Sequence, residues 1–205
     1  MSIRFSEACE RNRAPILAVL KDVITPQDLR LLEIGAGTGQ HAVYFAPEFP
    51  RLVWHPTDKT PQLAAISQWI KESRTVNVER PVRLDVSTDD FPKLKFDVVY
   101  TANTLHIMSW KECKALFKLL GNRLREGSRV VIYGPFKYGG AFTSPSNAEF
   151  DESLKAFDPQ SGIRAFEDVD RAMVKNGFEL VRDYEMPAFN RALVYRRLKF
   201  VSERK

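Results

Sequence analysis

The sequence predicts a doubly wound α/β fold, in which a mostly parallel sheet carries helices on both faces. Three features support this prediction. An apolar run at residues 30–34 leads directly into a loop with three glycines. Further apolar runs of strand length alternate with stretches of helical period. Acidic residues close the second and third runs, so they are expected at one edge of a parallel sheet.

The first half of the chain alternates between helical and strand patterns. Pro15 suits the first turn of a helix, and apolar residues recur at helical spacing through Ile24, so we expect a helix at 14–24. The run at 30–34 is apolar at consecutive positions, which is typical of a strand buried on both faces. The elements expected next are a helix from His41, a strand at 52–58, a helix from Pro61 and a strand at 81–84.

The second half continues the alternation with one interruption. The elements expected there are strands at 96–101 and 129–133 around a helix at 110–124, then a helix at 166–176 and a hairpin of strands at 179–185 and 192–198. Residues 134–165 break the rhythm with several prolines, glycines and aromatic residues. Ser146 and Glu149 have capping-box spacing, which predicts a helix from Asn147 to Phe157. A segment this long after a sheet strand is typical of a lid or binding loop.

Length and composition favour one soluble domain. The chain has 205 residues, 44% of them hydrophobic, and a net charge of +5. The basic surplus is mild, and we expect a solvated surface rather than a nucleic-acid site. Cys9 and Cys113 form neither a metal motif nor a disulfide framework, and no apolar stretch reaches the length of a membrane span. The charged start lacks a signal peptide's apolar core, so we predict a cytoplasmic protein.

The glycine loop decides which nucleotide is expected. A dinucleotide fingerprint needs its third glycine where Gln40 stands, whereas this loop reads Glu-x-Gly-x-Gly-x-Gly from Glu33 to Gly39. That pattern resembles the first motif of class I S-adenosylmethionine-dependent methyltransferases. The resemblance implies that Gly35, Ala36, Gly37 and Gly39 run beneath the methionine part of S-adenosyl-L-methionine. It also implies that Glu33 positions the loop and the amino end of the cofactor.

Two acids at strand ends extend this site. Asp58 follows Gly39 by 19 residues, a distance that suits an acid binding the ribose hydroxyls. Its negative charge favours a diol and disfavours a 2′-phosphate. Asp85 and Val86 end the third strand, and resemblance to class I methyltransferases implies that they bind the adenine. The alternatives are a surface aspartate at position 58 and a strand-end cap at position 85.

The segment after the fourth strand carries a further motif. Asn103, Leu105 and His106 resemble the Asn-x-Leu-His segment of many small-molecule methyltransferases. That resemblance implies that Asn103 and Leu105 line the cofactor and that His106 faces the substrate. His106 is the best candidate base, because histidine titrates near neutral pH. The alternative is a structural histidine at a helix start.

The whole chain resembles a little-characterised family of short class I methyltransferase-like proteins. The resemblance rests on residues 10–16, 35–41, 103–107, 133–136, 143–144, 146–147, 150–151, 162–164 and 186–187. It implies a single domain over residues 1–205 and a seven-stranded Rossmann-like sheet with one antiparallel strand in a C-terminal hairpin. Residues 1–15 and 134–165 are then the expected lids. Phe189 stands where the family usually has a second asparagine.

The remaining candidates are polar residues near these motifs. The family resemblance places Arg11 and Asn12 over the site, where an arginine would pair with the cofactor carboxylate or with an acidic substrate. Asp151 is a candidate for holding a polar substrate, and Tyr133 for lining the methyl channel, although Tyr133 equally suits the core. His41 is counted with the cofactor-binding residues, with packing or capping at the first helix as its alternative. No metal site is expected.

We therefore predict a methyltransferase that transfers a methyl group to a small-molecule acceptor by in-line displacement. An RNA or protein methyltransferase is the first alternative, motivated by basic residues at 196–199 and 204–205. No Asn-Pro-Pro-Tyr-type tetrapeptide follows the fourth strand, which disfavours it. An NAD-linked oxidoreductase lacks the third glycine and a Tyr-x-x-x-Lys motif. A non-catalytic S-adenosylmethionine-binding protein remains open, as do the acceptor and the oligomeric state.

Overall fold

The computed structural model describes residues 4–199, and its centre is a nine-stranded sheet. The strands are β1 (Arg30–Ile34), β2 (Val53–Asp58), β3 (Val82–Arg83), β4 (Val98–Ala102), β5 (Arg129–Tyr138), β6 (Ala141–Phe142), β7 (Arg164–Ala165), β8 (Phe178–Met186) and β9 (Asn190–Arg197). Seven of them run in the order β3-β2-β1-β4-β5-β9-β8, and the short β6 and β7 both pair with β5. Strand β9 is antiparallel to β5 and β8. The predicted fold class is confirmed, with two short strands beyond the expected seven.

Within residues 4–199, six α-helices cover the sheet. They are α1 (Glu7–Val23), α2 (Gln40–Phe45), α3 (Thr60–Ser73), α4 (Trp110–Arg123), α5 (Pro145–Phe157) and α6 (Phe166–Lys175). None of the helices within residues 4–199 is long and apolar enough to cross a membrane.

Alternate residues of the central strands enter two separate cores. Leu31 and Val98 pack with α1 and α2 on one face, whereas Leu32 and Val99 pack with α4 and α6 on the other. Successive side chains of a strand point to opposite faces, so a strand between two helical layers must be apolar at every position. This explains the continuous apolar runs of the sequence.

Helix α1 begins earlier than predicted. Ser6 caps it by accepting a hydrogen bond from the Cys9 amide, and Glu7 and Glu10 occupy the first turn, where acids suit the helix dipole. Pro15 therefore lies inside the helix rather than in its first turn, which corrects the expectation from sequence. Because proline has no amide hydrogen, the helix loses one internal hydrogen bond there.

Residues 134–165 are more regular than predicted. Strand β5 continues to Tyr138 because β9 and β7 both pair with its second half. Helix α5 begins at Pro145 with Ser144 as its cap, so the predicted cap at Ser146 is wrong by two residues. Proline suits the first helical position, where its missing amide hydrogen costs nothing, and Ser144 then accepts from the Asn147 amide.

The larger of the two cores sets the stability of the sheet. Phe117 lies on α4 and is fully buried against β-strand residues. We expect Phe117→Ala to lower the free energy of unfolding by about 3–5 kcal/mol, because it removes buried apolar surface and leaves a cavity. Urea denaturation measures the change. Val76→Ala is the control: Val76 is 98% exposed, so its replacement should change stability by less than about 0.5 kcal/mol.

Candidate functional site

The glycine loop connects β1 to α2 at the carboxyl edge of the sheet. Gly35, Gly37 and Gly39 all have positive φ angles, of 72°, 60° and 89°. The amides of Gly35 and Ala36 both donate to the Thr57 carbonyl at 3.0 Å, which fixes the loop against the end of β2. Strand β1 lies between β2 and β4, so the chain direction around the sheet reverses beside this loop. Such reversal points form ligand crevices in doubly wound folds.

At two of the glycine positions, neighbouring atoms leave no room for a Cβ atom. A Cβ atom at Gly35 would lie 2.6 Å from Thr104 Oγ1, and one at Gly39 would lie 2.9 Å from the Ile66 backbone. Gly37 differs, since no atom lies within 4 Å of its would-be Cβ. Its backbone therefore faces open space, where a ligand can approach closely.

A cavity of about 730 Å³, the first cavity, opens above the loop. It is bounded by the loop, the ends of β2 and β4, and residues from the N-terminal segment. Of the residues predicted to bind the cofactor, seven line it: Gly35, Ala36, Gly37, His41, Asp58, Val86 and Asn103. The other six, Glu33, Gly39, Asp85, Leu105, Arg11 and Asn12, do not.

Asp58 is held at the rim of the first cavity by the loop itself. One carboxylate oxygen accepts from the Gly37 amide and the other from the Lys59 amide, both at 2.7 Å. Burial raises the pKa of this carboxyl, and the two amide hydrogen bonds oppose the shift. Each oxygen keeps a free lone pair, so the group can still accept hydrogen bonds from a diol.

Glu33 lies beneath the loop rather than in the first cavity. Its side chain is 2% exposed and accepts a hydrogen bond from Trp54 Nε1 at 2.7 Å. Burial raises the pKa of Glu33 to about 8, against the opposing effect of the Trp54 hydrogen bond. The carboxyl thus supports the strand end from within the core, and direct contact with a ligand's amino end is not part of this arrangement.

Asp85 and Leu105 also do not line the first cavity. The Asp85 carboxylate accepts from the Ser87 amide and lies 3.6 Å from Lys59 Nζ, so it caps a turn, while Leu84 and Val86 line the cavity. Leu105 is buried in the core between the sheet and α4. Its carbonyl accepts from Arg164 Nε, and its neighbour Thr104 faces the cavity instead.

The N-terminal segment, over its described residues, lines one side of the first cavity, and its role as a lid stays a prediction. Gln40 clamps it to the loop: Gln40 Oε1 accepts from the Ser6 amide at 2.5 Å, and Gln40 Nε2 donates to the Ser6 carbonyl. Trp69 Nε1 donates to the Arg4 carbonyl and ties the segment to α3. Sequence reasoning missed Gln40 and Ser6, because their pairing joins positions far apart in the chain. Residues 1–3 of the predicted lid lie outside the described residues.

A second cavity, of about 650 Å³, adjoins the first. Asn103 and Ala8 line both, so the two cavities meet at these residues. Asn103 has a φ of 55°, a left-handed conformation that asparagine tolerates better than most residues, and its amide donates to the Tyr133 carbonyl. Of the predicted catalytic residues, His106 and Tyr133 line the second cavity and Asp151 does not.

His106 is a neutral side chain in the second cavity. Burial lowers its pKa to about 4, and the nearby Arg164 acts in the same direction. Its ring packs edge-on against Phe150 at 5.2 Å. Among the described residues no group hydrogen-bonds to the ring nitrogens, so they are left for a ligand in the second cavity.

Asn12 and His41 form a buried polar chain between the cavities. His41 Nε2 lies 2.8 Å from Asn12 Oδ1, and His41 Nδ1 lies 3.1 Å from the Tyr100 hydroxyl. Burial lowers the pKa of His41 to about 4, so its ring is neutral. Tyr133 lines the second cavity together with Asn12, and burial raises the pKa of its hydroxyl. The predicted cofactor residue Asn12 therefore lies in the second cavity and positions its neighbours there.

Asp151 is a structural residue in this arrangement. Its carboxylate is 2% exposed, accepts from the Ile163 amide at 2.6 Å and pairs with Lys155. It thereby fixes α5 to the segment before β7. The neighbouring residues Asn147 and Phe150 line the second cavity, as does Arg11, whose side chain is 71% exposed.

The buried Glu33 should leave a signature in the pH dependence of stability. Its folded pKa of about 8 lies above the usual carboxyl value near 4.5, so its stabilising contribution is complete below pH 4.5 and is lost as the pH rises through 8. We expect Glu33→Gln, which keeps an acceptor for Trp54, to gain at least about 1 kcal/mol of stability relative to the wild type between pH 5 and pH 8. Urea denaturation at both pH values measures this difference. Parallel pH dependences of the two proteins would contradict the assignment.

Known structures share this architecture. An S-adenosylmethionine-dependent methyltransferase, SibL in its apo form, matches 94% of this chain with a TM-score of 0.78 and 23% identity. An O-methyltransferase family protein from Burkholderia thailandensis matches 95% with a TM-score of 0.81 and 14% identity. An O-methyltransferase family 2 protein from Planctomyces limnophilus, in complex with apigenin, matches 91% with a TM-score of 0.75 and 16% identity.

This chain spans 56%, 58% and 62% of those three proteins, respectively. At these identities the likeness shows a methyltransferase fold and leaves the activity to be argued from the site. A family model described as "Protein of unknown function (DUF938)" matches residues 3–197, nearly the whole chain. The protein therefore belongs to the DUF938 family.

Proposed function

We propose that this protein is an S-adenosylmethionine-dependent methyltransferase that acts on a hydroxyl group of a small molecule. The observation that carries the proposal is the meeting of two cavities at Asn103 and Ala8. The first has the glycine loop and Asp58 expected for a nucleoside, and the second has a neutral histidine whose ring has no hydrogen-bond partner among the described residues. A methyl donor and an acceptor must lie end to end for in-line displacement, and adjoining cavities suit that requirement.

The first cavity is the proposed site of S-adenosyl-L-methionine. Asp58 would accept hydrogen bonds from the ribose hydroxyls, and the open backbone at Gly37 would lie beneath the methionine part. Leu84 and Val86 would pack on the adenine. The cofactor carries the methyl group in activated form, so the protein has to bind, orient and exclude water. The segment Arg4–Ser6 with Cys9 would cover it from the α1 side.

His106 is the proposed base in the second cavity. As an acceptor oxygen forms its bond to the methyl carbon, the carbon–sulfur bond breaks and the hydroxyl becomes strongly acidic. A neutral imidazole with a pKa of about 4 is then basic enough to take the proton. The proposed products are the methyl ether and S-adenosylhomocysteine.

The structural neighbours agree with a small-molecule acceptor. Two of the three described above are named O-methyltransferases, and one of these holds apigenin. The basic residues Arg196 and Arg197 that motivated an RNA substrate are engaged within the fold: Arg196 pairs with Glu179, and Arg197 donates to the Gly177 carbonyl. Arg204 and Lys205 lie outside the described residues. A cytoplasmic location stays a prediction.

Binding calorimetry tests the cofactor assignment. We expect S-adenosylmethionine and S-adenosylhomocysteine to bind at micromolar concentration and NAD not to bind. Asp58→Ala should weaken binding of both by about tenfold or more, because it removes charge-assisted hydrogen bonds to the ribose. The matched control is Asp168→Ala, an exposed acid on α6 outside both cavities. A folded protein that binds neither compound would refute the proposal.

Kinetics of a His106 variant test the chemistry, using a hydroxyl compound that the enzyme methylates in a metabolite panel. We expect His106→Ala to lower kcat by about 100-fold or more and to leave the affinity for S-adenosylhomocysteine unchanged. Because burial lowers the pKa of His106 to about 4, its basic form persists at pH 6, and kcat should not fall between pH 8 and pH 6 on its account. Unchanged kcat in His106→Ala would remove the base role. Binding without turnover of any panel member would favour a non-catalytic protein.

A further inference from the structure

The formal charge on the described lining of the second cavity is positive. If the proposed function holds, this charge narrows the chemical class of the methyl acceptor. Among the described residues that line it, Arg11 is the one with a formal charge at neutral pH. The nearest acids are engaged elsewhere or exposed. Asp151 is bound to Ile163 and Lys155, and Glu7, which is 82% exposed, is not among the residues that line the cavity. The cavity therefore offers a cation and no carboxylate to a ligand.

Arg11 is available for a ligand. It lies on the face of α1 that also presents Ala8, Asn12 and Pro15 to the second cavity. Its partner in the structure is Glu7, at 3.4 Å across one helical turn, and both side chains are largely exposed. Such a pair contributes little to stability, so an anionic ligand can displace it at low cost.

Tyr133 is a second potential donor in the lining of the second cavity. Asn12 lies in the same lining and uses its side-chain oxygen for the contact with His41 Nε2. Among the described residues no side chain forms a hydrogen bond with the Tyr133 hydroxyl, and a phenol hydroxyl can donate its hydrogen to an anionic oxygen.

Two asparagines and His106 instead offer hydrogen-bond acceptors to the second cavity. Asn147 Nδ2 donates to Thr143 Oγ1, and Asn190 Nδ2 donates to the Pro187 carbonyl. Each therefore has its side-chain oxygen as the group left for a ligand. Together with the neutral His106 ring, these oxygens suit a ligand that presents hydroxyl hydrogens.

We propose that the methyl acceptor is an anionic hydroxy compound, whose carboxylate or phosphate binds Arg11 and Tyr133 and whose hydroxyl reacts beside His106. The inference rests on the proposed function and narrows it. An amine acceptor fits poorly for two reasons. It enters as an ammonium ion and meets no carboxylate among the described lining residues, and His106 is too weak a base to remove its proton.

Two matched sets of probes test this inference with the full chain. One set is glycerate, glycerol phosphate and glycerol; the other is protocatechuate, catechol and dopamine. Binding is measured by calorimetry on protein saturated with S-adenosylhomocysteine. Methyl transfer is measured in separate reactions with S-adenosylmethionine alone, by mass spectrometry of the product. We expect an anionic member to bind about tenfold or more tightly than its neutral counterpart, and dopamine to bind weakest. The first set separates carboxylate from phosphate.

Two variants assign the preference to Arg11. Arg11→Gln should abolish the advantage of the anionic probe and change S-adenosylhomocysteine affinity less than about twofold. The matched control is Arg13→Gln, since Arg13 also lies on α1 but pairs with Glu10 and packs over the Tyr44 ring outside both cavities. It should keep the wild-type preference.

The inference is overturned if the neutral or cationic member of a set binds best, if both arginine variants behave alike, or if no hydroxy acid or phosphate binds while S-adenosylhomocysteine does. Failure of S-adenosylhomocysteine to bind the wild-type protein would instead refute the proposed function. The same experiment therefore distinguishes failure of this inference from failure of the proposed function.

Discussion

Both cavities depend on the position of α1. This helix packs on one face of the sheet, and its N-terminal half lines the two cavities. Ala8 and Cys9 close the first cavity, and Ala8, Arg11, Asn12 and Pro15 form a wall of the second. The helix is fixed there by apolar packing and by the buried contact between Asn12 and His41. Buried polar groups are costly when unpaired, so this contact specifies one position for the helix.

The same contact connects the two halves of the site. His41 belongs to the helix that follows the glycine loop, and Tyr133 ends the part of β5 that pairs with β4. Asn12 contacts His41 and lines the second cavity together with Tyr133, so the position of α1 is linked to the glycine loop on one side and to the second cavity on the other. The Gln40 clamp on Ser6 reinforces this link at the helix start.

Much of the fold could be predicted from the sequence because its signals are local. Continuous apolar runs identified the central strands, and the glycine spacing identified the loop. Asp58 was found because a strand end and a fixed separation determine its place. Asn103 and His106 came from a short motif whose members are neighbours in the chain. The hairpin with its antiparallel strand followed from the family resemblance.

Some residues do not lie where their sequence motifs suggest, because contacts formed in the fold decide their positions. Asp85 and Asp151 are acids in suitable places, yet the Ser87 and Ile163 amides donate to their carboxylates and neither residue lines a cavity. Leu105 enters the core because the chain turns after Asn103, and Thr104 takes its place in the first cavity. The local preference of proline predicted a helix start near Pro15. In the structure the helix begins after Ser6, whose amide donates a hydrogen bond to Gln40.

The most direct test of this account is a crystal structure of the protein with S-adenosylhomocysteine bound. We expect the ribose at Asp58, the adenine near Val86, and the sulfur at Asn103, directed into the second cavity toward His106. A ligand whose sulfur lies away from the junction of the two cavities, or one bound outside the first cavity, would contradict it.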